Sequence, residues 1–267
     1  MLNIEPDDSV NALLRLRGLN DEEFVKSHYV VFATKNGTVK KTSLEAYSRP
    51  RTNGVNAINI VEGDEVVDVR LTNGKNEIIL ANRNGRAVRF DEDSIRTMGR
   101  VSTGVRGMKL DDGDDQVVGM IVVNNAETET VMVVSENGYG KRSQVEDYRK
   151  TNRGGKGVKT FSITEKTGRL VAIKNVTDDN DLMIINKSGI AIRLAVSECR
   201  VMGRATQGVR LINLSKKNDV IASVCKVMST EKEAEVSGDK DDENATPATD
   251  VQATEAPQTE TQTTETE

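Results

Sequence analysis

Val131-Met132-Val133-Val134-Ser135-Glu136-Asn137-Gly138-Tyr139-Gly140-Lys141-Arg142 joins an apolar run to a basic one through Asn-Gly. Between two β-rich runs this dipeptide fits a tight I′-type turn, whose two central residues take positive φ. The stretch is therefore predicted to form a β-hairpin, and its pattern occurs three more times. The other copies are Val30–Ala33 with Asn36-Gly37 and Lys41, Ile78–Ala81 with Asn84-Gly85 and Arg89, and Leu182–Ile185 with Ser188-Gly189 and Arg193. The turn glycines at 37, 85, 138 and 189 lie 48, 53 and 51 residues apart, close to the period of about 40–50 for propeller blades.

Downstream of each turn comes Gly-Val, at Gly54-Val55, Gly104-Val105, Gly157-Val158 and Gly208-Val209. Four and six residues past that glycine the side chains are apolar: Ile58 and Ile60, Met108 and Leu110, Phe161 and Ile163, Ile212 and Leu214. This period of two predicts a third strand. A fourth apolar segment follows in each copy, at 66–69, 117–120, 170–173 and 220–224. The fold expected is all-β, a propeller-like array of four-stranded blades. Leu2–Ile4 and Val10–Leu14 resemble the last two strands of a further repeat, so the chain is expected to start in mid-repeat within a longer array.

The charge is divided unevenly. Of 42 acids and 37 bases, residues 229–267 hold 12 and 2, net −10, which leaves 30 acids and 35 bases, net +5, in residues 1–228. The tail, rich in Thr, Glu, Ala and Gln with Pro247 and Pro257 and no aromatic residue, cannot bury enough apolar surface to offset the entropy of ordering. It is expected to be disordered, which sets domain limits at 1–228 and 229–267. One use for such a tail is competition with a polyanion for the basic body.

Several classes are excluded. No apolar run approaches the roughly 18–20 residues of a membrane-spanning helix, and Met1–Asp8 shows no secretory leader. Cys199 and Cys225 are too few for a disulfide framework and read as small hydrophobes. With His28 the single histidine, a multi-histidine metal site is ruled out and a catalytic triad has one possible centre.

The bases recur as the strands do. Lys41, Arg89, Arg142 and Arg193 stand four residues after the turn glycines; Arg100, Arg153 and Arg204 stand four before the Gly-Val glycine, where the first copy has Arg49 and Arg51; Arg106, Lys159 and Arg210 stand two after it. Equivalent positions on successive blades would form a curved basic stripe suited to a bent polyanion. Single-stranded nucleic acid calls for aromatic platforms, and the chain has no Trp, four Phe and four Tyr, so the duplex backbone is the better fit. Such phosphate contacts carry little base specificity and are strongly salt dependent. For each base taken singly, edge protection and solubility are the competing role.

Met98-Gly99-Arg100, Thr103-Gly104-Val105-Arg106-Gly107 and Arg153-Gly154-Gly155-Lys156-Gly157, with the repeated G-x-x-x-[KR] hairpins, resemble the C-terminal domain of DNA gyrase A over residues 1–228. The resemblance implies a β-pinwheel whose neighbouring blades exchange strands and which wraps duplex DNA on a basic rim, with about one and a half blades lying upstream. The family's box, Q-R-R-G-G-K-G, is matched at its last five positions, while Thr151 and Asn152 replace Gln and Arg. Its glycines let backbone N–H groups approach a phosphate while Arg153 and Lys156 supply charge. A nucleotide-binding P-loop is rejected, because no Ser or Thr follows Lys156 and the next segment reads as strand.

The resemblance further implies no catalytic residue and no cofactor in this chain. The DNA-cleaving tyrosine belongs to the N-terminal part of gyrase A, and ATP with Mg²⁺ to other regions of the full enzyme; Tyr29, Tyr47, Tyr139 and Tyr148 match no cleavage motif. The implied partners are duplex DNA, gyrase B and the N-terminal part of gyrase A, in the bacterial cytoplasm and away from membrane. Two alternatives stand beside this: the corresponding domain of topoisomerase IV, which usually lacks a good box, and a protein-binding propeller whose bases serve solubility.

Overall fold

The computed structural model describes residues 9–16, 19–49, 51, 53–214 and 219–229. A short helix α1 (Glu22–Ser27), capped by the Asp21 carboxylate on the N–H groups of Glu23 and Phe24, precedes the repeats. The first repeat holds β1 (Tyr29–Thr34), β2 (Thr38–Ser43) and β3 (Val66–Thr72). The second holds β4 (Glu77–Asn82), β5 (Arg86–Asp91), β6 (Val105–Arg106) and β7 (Val117–Val123). The third holds β8 (Thr130–Ser135), β9 (Tyr139–Gln144), β10 (Val158–Lys159) and β11 (Leu170–Val176), and the fourth β12 (Asn180–Asn186), β13 (Ala191–Ala195), β14 (Val209–Arg210) and β15 (Ile221–Met228).

These strands form four antiparallel sheets, ordered β3-β1-β2-β6, β10-β5-β4-β7, β11-β8-β9-β14 and β13-β12-β15. Each Gly-Val strand joins the hairpin of the preceding repeat: Val105 pairs with Val39, Val158 with Ala87, and Val209 with Gly140. Blades therefore exchange strands, as the resemblance implies. The regular part of each exchanged strand is two residues. Beyond it the chain folds over the neighbour's turn, where the N–H groups of Gly107 and Met108 both donate to Gly37 O and those of Thr160 and Phe161 to Gly85 O.

The hairpin turns differ from the I′ expectation. Gly138 N donates to Ser135 O, which places the glycine fourth in the turn, at φ +78°, with Ser135 and Tyr139 flanking a three-residue loop. A three-residue loop closed by a left-handed glycine keeps the strand twist and needs positive φ at that glycine.

Apolar seams join the blades. Val31, Ala33 and Val39 meet Ile78, Leu80 and Met120 between the first and second; Ile79, Ile121 and Val123 meet Val131, Val133, Phe161 and Ile173 between the second and third; Met132, Ala172 and Val176 meet Leu182, Ile184 and Val224 between the third and fourth. Sheets covered on both faces explain why the hairpin strands read as continuous apolar runs rather than alternating ones. Val25 and Phe24 of α1 close the free face of the first sheet on Val30, Phe32 and Leu44.

The edge strands β3, β7, β11 and β15 pack on one another in succession and form the inner wall. Leu2–Ile4 lies outside the described residues. One expectation at the N-terminus changes: Val10–Leu14 forms no strand, with Val10 and Leu13 exposed and, among the described residues, no hairpin beside them to supply a ladder. Gly54-Val55 likewise forms no strand. The expected tail lies outside the described residues beyond Ser229. Among the described residues no helix is long and apolar enough to cross a membrane.

Candidate nucleic-acid interface

The three series of bases fall into different environments. Those four residues after the turn glycine face inward: Lys41 and Arg142 are buried, and Arg89 is nearly so. Lys41 Nζ donates to Glu92 O at 3.1 Å, and Arg89 Nη1 donates to Val145 O and Tyr148 O at 2.9 and 3.0 Å. Arg142 Nε donates to Cys199 O and its Nη1 meets Asp178. Each of the three grips the short turn of the next repeat. Arg193 is exposed, yet it pairs with Asp181 at 2.7 Å and donates to Met228 O. For Lys41, Arg89 and Arg142 the reading as phosphate contacts is corrected: their charge is taken up by carbonyls and carboxylates of the protein, and they clasp blade to blade, whereas Arg193 is held within its own sheet.

The other two series come together. Arg153 donates from Nε to Ser94 O at 2.8 Å and from Nη1 to Arg106 O at 2.9 Å. One repeat on, Arg204 donates to Asp147 O at 2.9 Å and to Lys159 O at 2.6 Å. Each loop arginine is thus seated on the backbone of the exchanged strand that carries the exposed base of the repeat before it. The succession Arg106, Arg153, Lys159, Arg204 and Arg210 runs from blade to blade, with Arg106, Lys159 and Arg210 exposed. Arg210 leans on Tyr139, whose hydroxyl accepts from its Nε and Nη2 at 3.1 and 2.9 Å. Arg100 continues the track into an open cleft of about 680 Å³ that it lines with Arg49 and Arg51.

The Arg153–Gly157 loop lies on this track. Gly154 N donates to Gly107 O at 2.6 Å, and Gly155 O accepts from Lys109 N at 2.9 Å. Gly157, at φ +73°, sits against the Ala87 carbonyl so closely that any Cβ would collide with it. With Lys156, Arg149 and Arg89, the loop lines a cleft of about 390 Å³. Lys156 Nζ lies 2.7 Å from Asp111 Oδ1, and its hydrogen bond holds the Asp111 carboxyl below the usual carboxylate range, assisted by Arg86 and Lys109.

A model of the DNA gyrase C-terminal domain, beta-propeller, matches residues 28–73, 76–124, 129–177 and 180–225, one segment for each repeat. The chain belongs to this gyrase family. The DNA gyrase A proteins of Staphylococcus epidermidis and Staphylococcus aureus are each 43% identical to it over 226 residues. That match covers 85% of this chain and 25% of each relative, so the chain spans about a quarter of their length. Among solved structures, a DNA gyrase A C-terminal domain superposes with a TM-score of 0.74 at 24% identity, covering 85% of this chain and 73% of that one. The C-terminal domain of a DNA topoisomerase IV gives 0.73 at 29% identity, covering 82% and 69%.

Within this gyrase-type propeller, sequence reasoning missed Asp111, which comes from the previous repeat, and Arg149, which joins the loop's cleft. It also missed Lys40 and Lys141, both fully buried. Their ammoniums reach under the loops of the track: Lys40 donates to Ala57 O at 2.5 Å and to Arg100 O, and Lys141 to Gly203 O at 2.8 Å. The one signal available was their place beside the clasp residues, where a strand position faces a blade seam.

Proposed function

We propose that this chain binds and wraps duplex DNA as the C-terminal part of a DNA gyrase A protein, acting in the bacterial cytoplasm. The observation that supports this is the blade-to-blade track Arg106–Arg153–Lys159–Arg204–Arg210, in which backbone carbonyls hold the loop arginines beside exposed bases. A duplex following the track meets charge at intervals set by the blades and bends. Smooth bending of a short site by 40–90° costs about 1–6 kcal/mol, which several phosphate contacts offset. Contacts of this kind position the backbone and leave base sequence unread.

In this reading the wrap fixes the handedness with which DNA is delivered for strand passage. Cleavage belongs to the N-terminal part of gyrase A, and ATP with Mg²⁺ to gyrase B. The corresponding domain of a topoisomerase IV is the second reading, supported by the 29% identity to that domain; the Arg153–Gly157 loop favours gyrase.

Ligation of nicked circular plasmid with increasing protein, followed by separation of topoisomers, tests the proposal. A dose-dependent shift to positive linking difference is expected. Retention of DNA in a gel without such a shift favours the topoisomerase IV reading, and no retention at all favours a protein-binding propeller.

A further inference from the structure

The inner wall carries a group of cations that the track does not use. Lys174 on β11 pairs in register with Met132, and Lys226 on β15 with Leu182; Met132 and Leu182 both lie in the seam between the third and fourth blades. Paired residues share a face of the sheet, so the two lysines are directed at one seam from its opposite sides. Lys174 stands between Ala172 and Val176, and Lys226 beside Val224, all three buried in that seam. Arg70 occupies on β3 the place that Lys174 occupies on β11, opposite Val31 instead of Met132.

The acids nearby are already engaged. Asp68 pairs with Arg70 at 3.0 Å and accepts from Met120 N at 3.3 Å. Glu129 accepts from the Asn124 backbone and from the side-chain amides of Asn124 and Asn175. Among the described residues, no hydrogen bond or ion pair engages the Lys174 or Lys226 ammonium. Desolvation pushes both lysines below their ordinary range. Asp68 opposes the shift at Lys174 and Glu129 at Lys226, while Arg70 adds to it at both and Lys174 adds to it at Lys226. Lys174 is half-buried and Lys226 exposed, so each keeps part of its hydration; what remains is the mutual repulsion of neighbouring cations without a partner, which an anion between them relieves.

We infer that Lys174 and Lys226, with Arg70 behind them, form an anion site on the inner wall at the seam of the third and fourth blades, one that takes a multivalent oxyanion. Phosphate and clustered carboxylates share the chemistry required. A carboxylate source lies in the same chain, because β15 ends at Met228 and the acids of residues 229–267 follow it.

Inorganic pyrophosphate, titrated calorimetrically into the full chain, is the probe. Replacing both lysines (Lys174→Met with Lys226→Met) is expected to weaken binding about tenfold or more, the loss expected for charge-assisted hydrogen bonds. Lys174→Arg with Lys226→Arg retains binding, and so does Lys75→Ala, at an exposed lysine outside both the wall and the track. Equal affinity in the wild type and the double Met variant overturns the site. In a full-length variant whose tail acids are changed to Gln and Asn, several-fold tighter binding identifies the tail as the occupant, and unchanged binding identifies a free phosphate compound.

Discussion

Lys156 of the glycine-rich loop is ion-paired to Asp111 of the preceding repeat at 2.7 Å, so the most exposed cation of that loop is already opposed by a carboxylate. DNA that engages Lys156 must displace Asp111 or accept its repulsion. Both groups are substantially exposed, so solvent and salt weaken the pair.

Asp111→Asn should therefore tighten duplex binding modestly, by no more than about fivefold at low salt. Fluorescence anisotropy across a salt series measures it. Unchanged affinity would show that phosphate does not reach Lys156.

The division of the bases into clasps and track predicts opposite phenotypes. Arg89→Met leaves Val145 O and Tyr148 O without their donor and removes one partner of Glu77, and should cost about 2–3 kcal/mol in urea denaturation. Arg106→Ala and Lys159→Ala, both exposed, should leave the urea midpoint in place. Each should also reduce the magnitude of the salt-dependence slope of DNA binding by about 0.9. A stability loss in the second pair, or an unchanged slope, would argue against the track.

The repeats were legible because Asn-Gly and Ser-Gly mark their own turns and the apolar runs are bounded by them. Which sheet receives each Gly-Val strand was not legible from local pattern, since Val105 pairs with Val39, 66 residues away. The basic series show the same limit: spacing put Lys41, Arg100 and Arg106 on equal footing, and only the packing of one blade on the next separates a buried clasp from an exposed contact. Nothing in the spacing singles out Lys40 and Lys141, because a buried ammonium needs carbonyls that come from a distant loop.

Those two lysines give the fold a pH dependence. Burial first, with Arg100 beside Lys40 and Arg204 beside Lys141, lowers each to about 8; Asp147 opposes this at Lys141. Their unfolded value is 10.5, so between pH 8 and 10.5 the unfolded chain binds more protons and stability rises with pH, by up to about 1.4 kcal/mol per pH unit for each lysine. Tyr148, raised by burial to about 12 from 10.0, acts in the other direction above pH 10. The urea midpoint should climb from about pH 8 to about pH 10 and then turn over. Lys40→Met with Lys141→Met should remove much of the climb, with Lys174 and Lys226 supplying what remains.

The turn glycines test strand exchange directly. Gly85, at φ +76°, has the Phe161 carbonyl 2.7 Å from where a Cβ would stand, because the second repeat's turn is covered by the chain that continues from β10. Gly189, at φ +83°, has nothing within 4 Å, and its sheet is three-stranded among the described residues. Alanine meets a backbone penalty of about 1–2 kcal/mol at either position. At Gly85 it must also push the exchanged segment away, so Gly85→Ala should cost about 2 kcal/mol more than Gly189→Ala in denaturant titration. Hydrogen exchange should agree, because β9 is paired on both sides and β13 on one. Amides of 190–195 should exchange at least about tenfold faster than those of 139–144. Equal costs for the two alanines, or equal protection of the two strands, would mean that the exchanged segments add little to blade stability.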